Sequence, residues 1–484
     1  MKKSFFIISM LGMLFSACTK KITDLNYDPK NPVTGLASAV FLQGEKNLSD
    51  AYTSTSVASA PFRVLAQSWT ENTYVYEAQY NFAAYQAPDG WWNNLYVGVL
   101  RNLHQAKILF PQQVIGDSVG LRNDLIITDI LEVYAFNLLT ATYGNVPYSQ
   151  AETDSVPYPK YDDSKTIYAD LILRLDSCIA GLNLSGTAMG AADQIYGGDP
   201  GEWKKFAATL ELKIAMQLAD AEPSVSAPAA LNAVSAGVFQ SNSDNALFHY
   251  DAASSGNSNP IWQALVQSGR HDFVPADLLV NVMDSLNDPR LPLYFTNFPI
   301  GSSTYSGGIP GGGNGYGAYS DFSAQLQTPA YPGDILDYAQ TEFLLAEAVE
   351  RGIAVGGTAA DHYDSAITAS IEFWGGSAAD AATYLAQPTV NYATADHGNW
   401  REKIGYQQWI AFYNGNWDAW TIIRRLGFPD INQINPPIAA QGNLPLRLTY
   451  PVNEQNSNAV NWAAASALLP GGQDVVSANL FWEQ

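Results

Sequence analysis

Aromatic side chains are concentrated in residues 70–94, where their types and spacing suit contact with a sugar. Residues 70–89 hold tyrosines between polar residues without a helical pattern, and Trp91 and Trp92 open the helix that follows. Aromatic rings stack on the C–H faces of sugars, and a nearby amide can hydrogen-bond to hydroxyl groups. Because long loops on a rigid scaffold often hold binding residues, we predict a ligand site here. Its candidate contacts are Tyr74, Tyr76, Tyr80, Trp91, Trp92, Asn94 and Trp262.

Trp91 and Trp92 have an alternative role, which is to attach the start of the helix to the hydrophobic core. Tryptophan is highly buried on average, and binding pockets are few and small. Substitution with alanine distinguishes the two roles. Removing a contact ring should abolish binding and leave thermal unfolding nearly unchanged, whereas removing a core ring should impair both.

Two acidic motifs could serve either chemistry or structure. Asp193 and Asp199 flank a tight Tyr-Gly-Gly turn and could hold Ca²⁺ together with backbone carbonyls, since hard cations take oxygen ligands. Helix capping by the same carboxylates is the simpler alternative. Asp288 and Arg290 flank Pro289, and we interpret them as a structural ion pair.

Motifs for covalent or metal catalysis are missing from the sequence. The five histidines have no HExxH spacing, and there is no GxSxG or Cys/His arrangement. The 46 carboxylates, however, leave room for a glycosidase pair facing across a cleft. An α/α-barrel glycoside hydrolase is therefore a second hypothesis.

Charge and cysteine content narrow the functional class. The chain carries 24 Lys and Arg against 46 Asp and Glu, a net charge of −22, so nucleic acid is not an expected partner. Apart from Cys18 the only cysteine is Cys178, which excludes an intramolecular disulfide framework and predicts a lone buried thiol. Aromatic residues form 12% of the chain, more than a core of this size needs, so some should line a surface site.

The N-terminus has the pattern of a lipoprotein signal. Lys2 and Lys3 precede a short apolar run that ends in small residues before Cys18. We predict a signal peptide at residues 1–17, acylation of Cys18, and a polar tether at residues 18–34. No later apolar run is expected to span a membrane, so attachment would be through lipid alone.

Periodic apolar residues predict a mainly helical body over residues 35–484. Residues 36–52 and 57–69 have helical patterns, as does the segment that ends at the Gly144 stop. We expect four helical hairpins of tetratricopeptide-like type, with long irregular loops and few short strands. They pair 91–110 with 129–143, 163–182 with 200–218, 335–351 with 359–373, and 400–413 with 417–426. A loop-rich insert is predicted at about residues 221–332.

Six strings, in order along the chain, resemble the SusD/RagB family. They are residues 24–32 (DLNYDPKNP), 143–148 (YGNVPY), 193–207 (from DQIYGGD to WKKFA), 287–291 (NDPRL), 338–352 (YAQTEFLLAEAVERG) and 447–456 (RLTYPVNEQN). Residues 208–215 (ATLELKIA) depart from the Asn, Ser and Arg that the family often has there.

The resemblance implies a SusD-like α-superhelical scaffold on the cell surface. Such lipoproteins are lids on SusC-type TonB-dependent channels of the outer membrane and capture oligosaccharides, or in some cases peptides, before import. The resemblance also implies a ligand site built from aromatics just before the first hairpin, which is the segment that holds Trp91, Trp92 and Asn94. Catalysis and a cofactor are not part of that role.

Three kinds of protein therefore remain to be distinguished. Binding without turnover would indicate the nutrient receptor, for glycans or for peptides. Release of reducing sugar would indicate the hydrolase. Copurification with a channel, but without glycan affinity, would indicate a tetratricopeptide adaptor that binds only proteins.

Overall fold

The structure is a computed structural model that describes residues 35–153, 155–252, 256–395 and 399–483. The predicted signal peptide, Cys18 and the tether lie outside the described residues, as does the 24–32 string. That residues 35–484 form a single domain remains a prediction.

The first half of the chain is a series of helices in which each long helix packs on the next. Helix α1 packs on α4, and α4 to α8 follow one another in contact. The bounds are α1 Ala37–Thr53, α2 Phe62–Leu65, α3 Ala87–Asn93, α4 Arg101–Gln113, α5 Ser118–Tyr143, α6 Ser164–Gly181, α7 Pro200–Gln217 and α8 Pro223–Ala236.

The second half repeats this arrangement. Helix α12 packs on both α13 and α15, α15 packs on α16, and a contact between α12 and α7 joins the two halves. The bounds are α9 Pro260–Trp262, α10 Asp277–Ser285, α11 Leu291–Tyr294, α12 Tyr338–Glu350, α13 Ala359–Phe373, α14 Ala378–Leu385, α15 Trp400–Ala411, α16 Trp417–Leu426, α17 Ile431–Ile434, α18 Val452–Ser457 and α19 Ala459–Ala467.

Strands are short and paired two by two in the described part of the chain. Strand β1 pairs antiparallel with β5, β2 with β3, and β4 with β6. The prediction of a mainly helical fold with few short strands is confirmed. The bounds are β1 Trp69–Glu71, β2 Val146–Pro147, β3 Tyr161–Asp162, β4 Ala246–Phe248, β5 Phe273–Pro275 and β6 Gly333–Leu336.

Several long helices begin at a side chain that accepts a hydrogen bond from the first turn. Asp117 accepts from Gly120 N, and Asp337 accepts from Gln340 N. Each such cap satisfies a backbone N–H that has no partner within the helix. The caps explain why these helices start where they do.

Helix α5 is the centre of the hydrophobic core. It has the length and composition of a membrane span, contrary to the expectation from the sequence, but 83% of its most apolar window is buried inside the protein. It is therefore a core helix. It ends at Gly144, whose φ of 87° lies in the region that favours glycine, and the chain turns there into β2.

Two predicted regions differ from the structure. Residues 57–69 contain only the short helix α2, because residues 57–61 form turns that pack beside α3. Gly90 of α3 touches this segment so closely that a Cβ atom would lie 2.1 Å from Ala58 O. The insert at 221–332 is less loop-rich than predicted, since it holds α8 and α10. Helix α8 was missed because Pro223 and Pro228 suggest a loop, although proline is well tolerated at a helix start.

Two π-helical segments interrupt the α-helical pattern. Asn94–Leu100 lies between α3 and α4, and Gln263–Gln267 follows α9. In the first segment, the Gly98 carbonyl accepts hydrogen bonds from Asn47 Nδ2 at 2.6 Å and from Asn102 Nδ2 at 2.7 Å. Such segments are often found at functional sites.

Candidate ligand-binding site

A surface cavity of about 800 Å³ lies between the loop that follows α1, the β1–β5 strand pair and the segment after α9. Its volume is within the range of about 300–1,000 Å³ that is usual for ligand pockets. Its walls combine rings, hydroxyls, an amide and a few charges. The lining residues are Ser54, Thr55, Ser56, Val57, Ala58, Glu71, Thr73, Tyr74, Tyr85, Pro260, Gln263, Ala264, Ser268, Arg270, Asp272 and Phe273.

Three tyrosines of the 72–86 excursion are exposed at this cavity or next to it. Tyr74 is 56% exposed and Tyr85 is 41% exposed, and both line the cavity. Tyr76 packs edge-on against Tyr85, with the ring centroids 5.9 Å apart. Tyr74 has a φ of 61°, and non-glycine residues in this region are often found at binding sites. The excursion therefore presents aromatic faces to a ligand.

Hydrogen bonds fix the excursion to the strand pair. Ala78 N donates to Glu71 Oε2 at 3.0 Å, and Tyr76 N donates to Tyr74 O at 2.8 Å. Residues 301–319 form a glycine-rich loop, and Asn314 of this loop donates from Nδ2 to Glu71 O at 2.9 Å. These bonds define the position of a long loop that has no regular structure of its own.

The glycine-rich loop supports the excursion from the other side. Gln79 Nε2 donates to Gly311 O at 2.8 Å. Gly311 lies so close to Ile438 that a Cβ atom would be 2.4 Å from its carbonyl oxygen, and its φ is 73°. Glycine is therefore required at this position for a close approach of backbones.

An exposed ion pair lies on the cavity wall. Arg270 donates from Nε to Asp272 Oδ2 at 2.7 Å and from Nη2 to Asp272 Oδ1 at 3.1 Å. Between these two residues, His271 stacks on Tyr316 of the glycine-rich loop, with the ring centroids 3.8 Å apart. The wall thus offers both donors and acceptors to hydroxyl groups.

A second cavity of about 580 Å³ adjoins the first, with Ser54, Pro260 and Gln263 lining both. Asn94 lies here, so this cavity is richer in amides than the first. Both π-helical segments contribute residues to its wall. The lining residues are Asn47, Asp50, Ala51, Ser54, Asn93, Asn94, Val97, Gly98, Pro260 and Gln263.

Two buried carboxyl groups lie beneath the excursion. Burial raises the pKa of Glu71 to about 8, and the neighbouring Glu77 and Asp272 add to the rise. Burial likewise raises the pKa of Glu77 to about 7. The two carboxyl groups therefore hold a proton up to a higher pH than exposed glutamates do.

Trp91, Trp92 and Tyr80 do not reach either cavity. Trp91 is fully buried, and its ring packs edge-on against Phe62 at 4.9 Å between centroids; Phe62 in turn stacks on Trp420. Trp92 and Tyr80 are buried as well. The alternative role, attachment of the helix start to the core, accounts for both tryptophans. Phe62 of α2 packs on Trp91, and Tyr96, Tyr143 and Tyr161 pack around Trp92, so neither ring is exposed to a ligand.

The other candidates are distributed around the cavities. Tyr74 lines the first cavity and Asn94 the second, whereas Tyr76 is exposed beside Tyr85. Trp262 is half-buried and lines neither cavity. The first cavity thus combines Tyr74, and the second Asn94, with residues that were not predicted from the sequence.

Comparison with known proteins decides the family. A family model described as "Starch-binding associating with outer membrane" matches residues 29–451, which is most of the chain. The chain belongs to the SusD-like family. No curated protein matches it by sequence.

Solved structures of SusD-like proteins have the same fold. A chitin-binding protein is 26% identical, with a TM-score of 0.78 over 92% of this chain and 99% of its own. A SusD homologue from Bacteroides uniformis is 25% identical, with a TM-score of 0.78 over 93% and 99%. A chitin-binding SusD homologue from Flavobacterium johnsoniae is 22% identical, with a TM-score of 0.75 over 93% and 97%. The family consists of binding proteins rather than enzymes.

In this SusD-like protein, strings that carry the family resemblance form structural contacts away from the cavities. Arg447 donates from Nη2 to Tyr143 O at 3.0 Å, which joins the 447–456 string to the 143–148 corner. Asp288 and Arg290 form a fully buried ion pair of 2.6 Å, as predicted. These strings therefore indicate the scaffold of the family and do not identify the ligand.

Asp193 and Asp199 are both occupied by N–H donors. Asp193 accepts from Trp203 Nε1 at 2.6 Å and from Gly198 N at 2.7 Å. Asp199 accepts from Gly201 N at 2.7 Å at the start of α7, as the capping alternative predicts. Among the described residues, no group of three or more His, Cys, Asp or Glu is arranged to hold a metal ion.

The residues of the first cavity that were not predicted from the sequence include Tyr85, Gln263, Arg270 and Asp272. Tyr85 belongs to the same series of aromatics as Tyr74 and could have been chosen with it. The other three come from residues 263–272, almost two hundred positions away. Only the β1–β5 pairing, in which Glu71 opposes Phe273, brings them to the excursion.

Proposed function

We propose that this SusD-like protein binds an oligosaccharide in the first cavity and passes it to a SusC-like TonB-dependent transporter of the outer membrane. The observation that carries the proposal is the exposure of the Tyr74 and Tyr85 rings on the wall of a cavity of about 800 Å³. Aromatic faces at a polar cavity are the arrangement that sugar rings require, because stacking and hydroxyl hydrogen bonds act together.

The relatives support a carbohydrate ligand. The matching family model describes starch-binding proteins, and a structure 26% identical to this chain is a chitin-binding protein. Both polymers present C–H faces and hydroxyl groups. The adjoining second cavity provides space for further sugar units of such a chain.

The charge of the cavity favours a neutral ligand. Arg270 is the only cation on its wall within the described residues, and both hydrogen bonds of its guanidinium group go to Asp272. Glu71 retains a proton near neutral pH because burial raises its pKa to about 8. A sulfated or carboxylated sugar would therefore find no unpaired positive partner and should bind more weakly than its neutral counterpart.

Calorimetry with a panel of neutral oligosaccharides tests the proposal. We expect one of them to bind the wild-type protein and to lose most of its affinity to the double variant Tyr74→Ala/Tyr85→Ala. Tyr158→Ala is the matched control, since this tyrosine is exposed but lies outside both cavities. Equal binding by the double variant and the wild type would contradict the site, and absence of binding by any glycan would contradict the ligand class.

The same panel separates the receptor from its alternatives. Adding peptides to it identifies a peptide-capturing homologue. An assay for released reducing sugar identifies a glycoside hydrolase, for which we expect no signal. Binding with no release is the expected outcome.

Delivery and anchoring need separate experiments. We expect metabolic lipid labelling at Cys18, loss of labelling in Cys18→Ser, and surface display of the wild-type protein only. Copurification with a TonB-dependent transporter from detergent-solubilised outer membranes tests the partner. A soluble, unlabelled wild-type protein would contradict the anchor without affecting the ligand site.

A further inference from the structure

The turn that carries Tyr74 and Tyr76 begins and ends at buried glutamates. Glu71 is the last residue of β1 and Glu77 comes six positions later, so residues 72–76 form the turn between them. Glu71 is 3% exposed and Glu77 is fully buried. The two carboxyl groups interact with each other beneath the turn, and Tyr74 and Tyr76 point outward.

Neither carboxyl group has a cationic partner. Glu71 accepts one hydrogen bond, from Ala78 N, and both carboxyl oxygens of Glu77 lack a bonded N–H or O–H donor among the described residues. The other charge that acts on Glu71 is Asp272, which is also negative. Arg270, the nearest cation on the cavity wall, is held by Asp272, and Tyr74, Tyr76 and Tyr85 complete the ionisable groups around the turn.

Two neighbouring buried carboxylates cannot both be charged without strong repulsion, since burial and like charge each disfavour the ionised form. One proton between them removes the repulsion and supplies a hydrogen bond. We propose that Glu71 and Glu77 are positioning residues that keep at least one proton between them, and that the hydrogen bond this proton makes between the two carboxyl groups holds the 72–76 turn closed.

Loss of the proton to solvent leaves two adjacent negative charges and opens the turn. Because the pKa of both groups is raised by burial, the closed turn is fully stable below the ordinary pKa of glutamate. That stability declines as the pH rises toward about 8, the pKa of Glu71 in the folded protein. The consequence for binding rests on the proposed function. At alkaline pH the open turn takes Tyr74 away from the cavity wall, and the ligand is released.

Chymotryptic cleavage after Tyr74 and Tyr76 measures the opening without any ligand. The rate at each pH is divided by the rate for a free peptide of residues 70–80, which removes the pH dependence of the protease. We expect the ratio to rise at least tenfold between pH 6.5 and pH 9.5 in the wild type. The folded protein holds the proton up to the Glu71 pKa of about 8, and below that pH each unit changes the opening equilibrium about tenfold. Glu71→Gln/Glu77→Gln retains the hydrogen bond without the charge and should show a constant ratio.

Three controls keep the test decisive. Glu372→Gln removes an exposed carboxylate elsewhere and should behave as the wild type. Cleavage after the exposed Leu184, which precedes Ser185, should not change with pH. A rise at Leu184 equal to that at Tyr74 would show general unfolding and overturn the proposal. Glu77→Gln alone replaces the double variant if the latter does not fold.

The proposal would be wrong if the ratio of cleavage rates stayed constant in the wild type, or if it rose equally in Glu71→Gln/Glu77→Gln. A parallel calorimetric series with the bound oligosaccharide should show affinity falling about tenfold over the same pH range in the wild type only. If no glycan binds at any pH, the proposed function fails while the cleavage series still tests the turn.

Discussion

Two groups of aromatic residues, separated by only a few positions in the chain, have opposite environments. Trp91 is buried against Phe62 of α2 and Trp92 against Tyr96, Tyr143 and Tyr161, whereas Tyr74 and Tyr85 are exposed on a cavity wall. The tryptophans lie on a helix that the scaffold covers. The tyrosines lie on an excursion whose backbone is fixed by hydrogen bonds but whose rings no other element covers.

The comparison shows that the local sequence does not decide which aromatic residues meet a ligand. Both groups lie in the same aromatic-rich segment, and a tryptophan pair beside an amide suits a sugar at least as well as tyrosine does. What separates them is that Phe62 covers Trp91 and is itself held in place by stacking on Trp420, from a distant part of the chain. Burial by distant residues, and not ring type, assigns the role.

The largest effect should come from Trp91→Ala. Removing a fully buried ring leaves a cavity beneath Phe62, and we expect the free energy of unfolding to fall by about 3–5 kcal/mol in urea denaturation. Trp262→Ala, at a half-buried ring outside both cavities, should cost much less. If Trp91→Ala unfolded like the wild type but no longer bound glycan, the division into core and site would be wrong.

Ion pairs extend the same comparison. Asp288→Asn should lower the free energy of unfolding by about 3–5 kcal/mol, because it leaves the Arg290 charge buried without its partner. Asp272→Asn, in the exposed pair of the cavity wall, should leave the urea midpoint unchanged and alter ligand affinity only. A shift of the midpoint by Asp272→Asn as large as that of Asp288→Asn would erase the distinction between scaffold and site.

Single substitutions of the cavity tyrosines should have intermediate effects, on binding alone. We expect Tyr74→Ala and Tyr85→Ala each to weaken glycan binding by about 0.5–1.5 kcal/mol beyond the loss of contact area, measured by calorimetry. Thermal unfolding should remain within error of the wild type, because both rings are exposed. Loss of stability without loss of affinity would place these tyrosines with the core group.

The smallest effect should come from Asn94→Ala, which tests whether ligand reaches the second cavity. Loss of one amide hydrogen bond should weaken binding by about 0.5–1 kcal/mol, and only for oligosaccharides long enough to span both cavities. Asn102→Ala is a suitable comparison, since the Asn102 side-chain amide donates a hydrogen bond to the Gly98 carbonyl. Equal weakening for short and long sugars would confine the ligand to one cavity.

Local patterns predicted the features that depend on nearby residues. The four hairpins, the cap at Asp199 and the Asp288–Arg290 pair follow from apolar spacing and from charges a few positions apart. The start of α5 was missed by eleven residues, because the predicted segment began at Asp129 and the helix begins at Ser118. Helix α8 was missed because its prolines suggest a loop.

The cavity could be predicted only in part. Tyr74 and Asn94 were selected from composition and resemblance, and both line a cavity. Arg270 and Asp272 could not be selected, because their place on the wall depends on pairing between β1 and β5. The exclusion of Trp91 depends on long-range packing by Trp420, for which the sequence holds no local signal.

The π-helical segment at residues 94–100 contains one residue more than regular α-helical turns would hold. Deleting that residue would convert α3 and α4 into one uninterrupted α-helix and rotate α3 by about 100° relative to α4. Trp91 would then leave its place beside Phe62, and Asn94 would leave the second cavity. The rotation of α3 relative to α4 therefore depends on a single residue. A homologue or design with a different number of residues here must position the equivalent rings through other contacts.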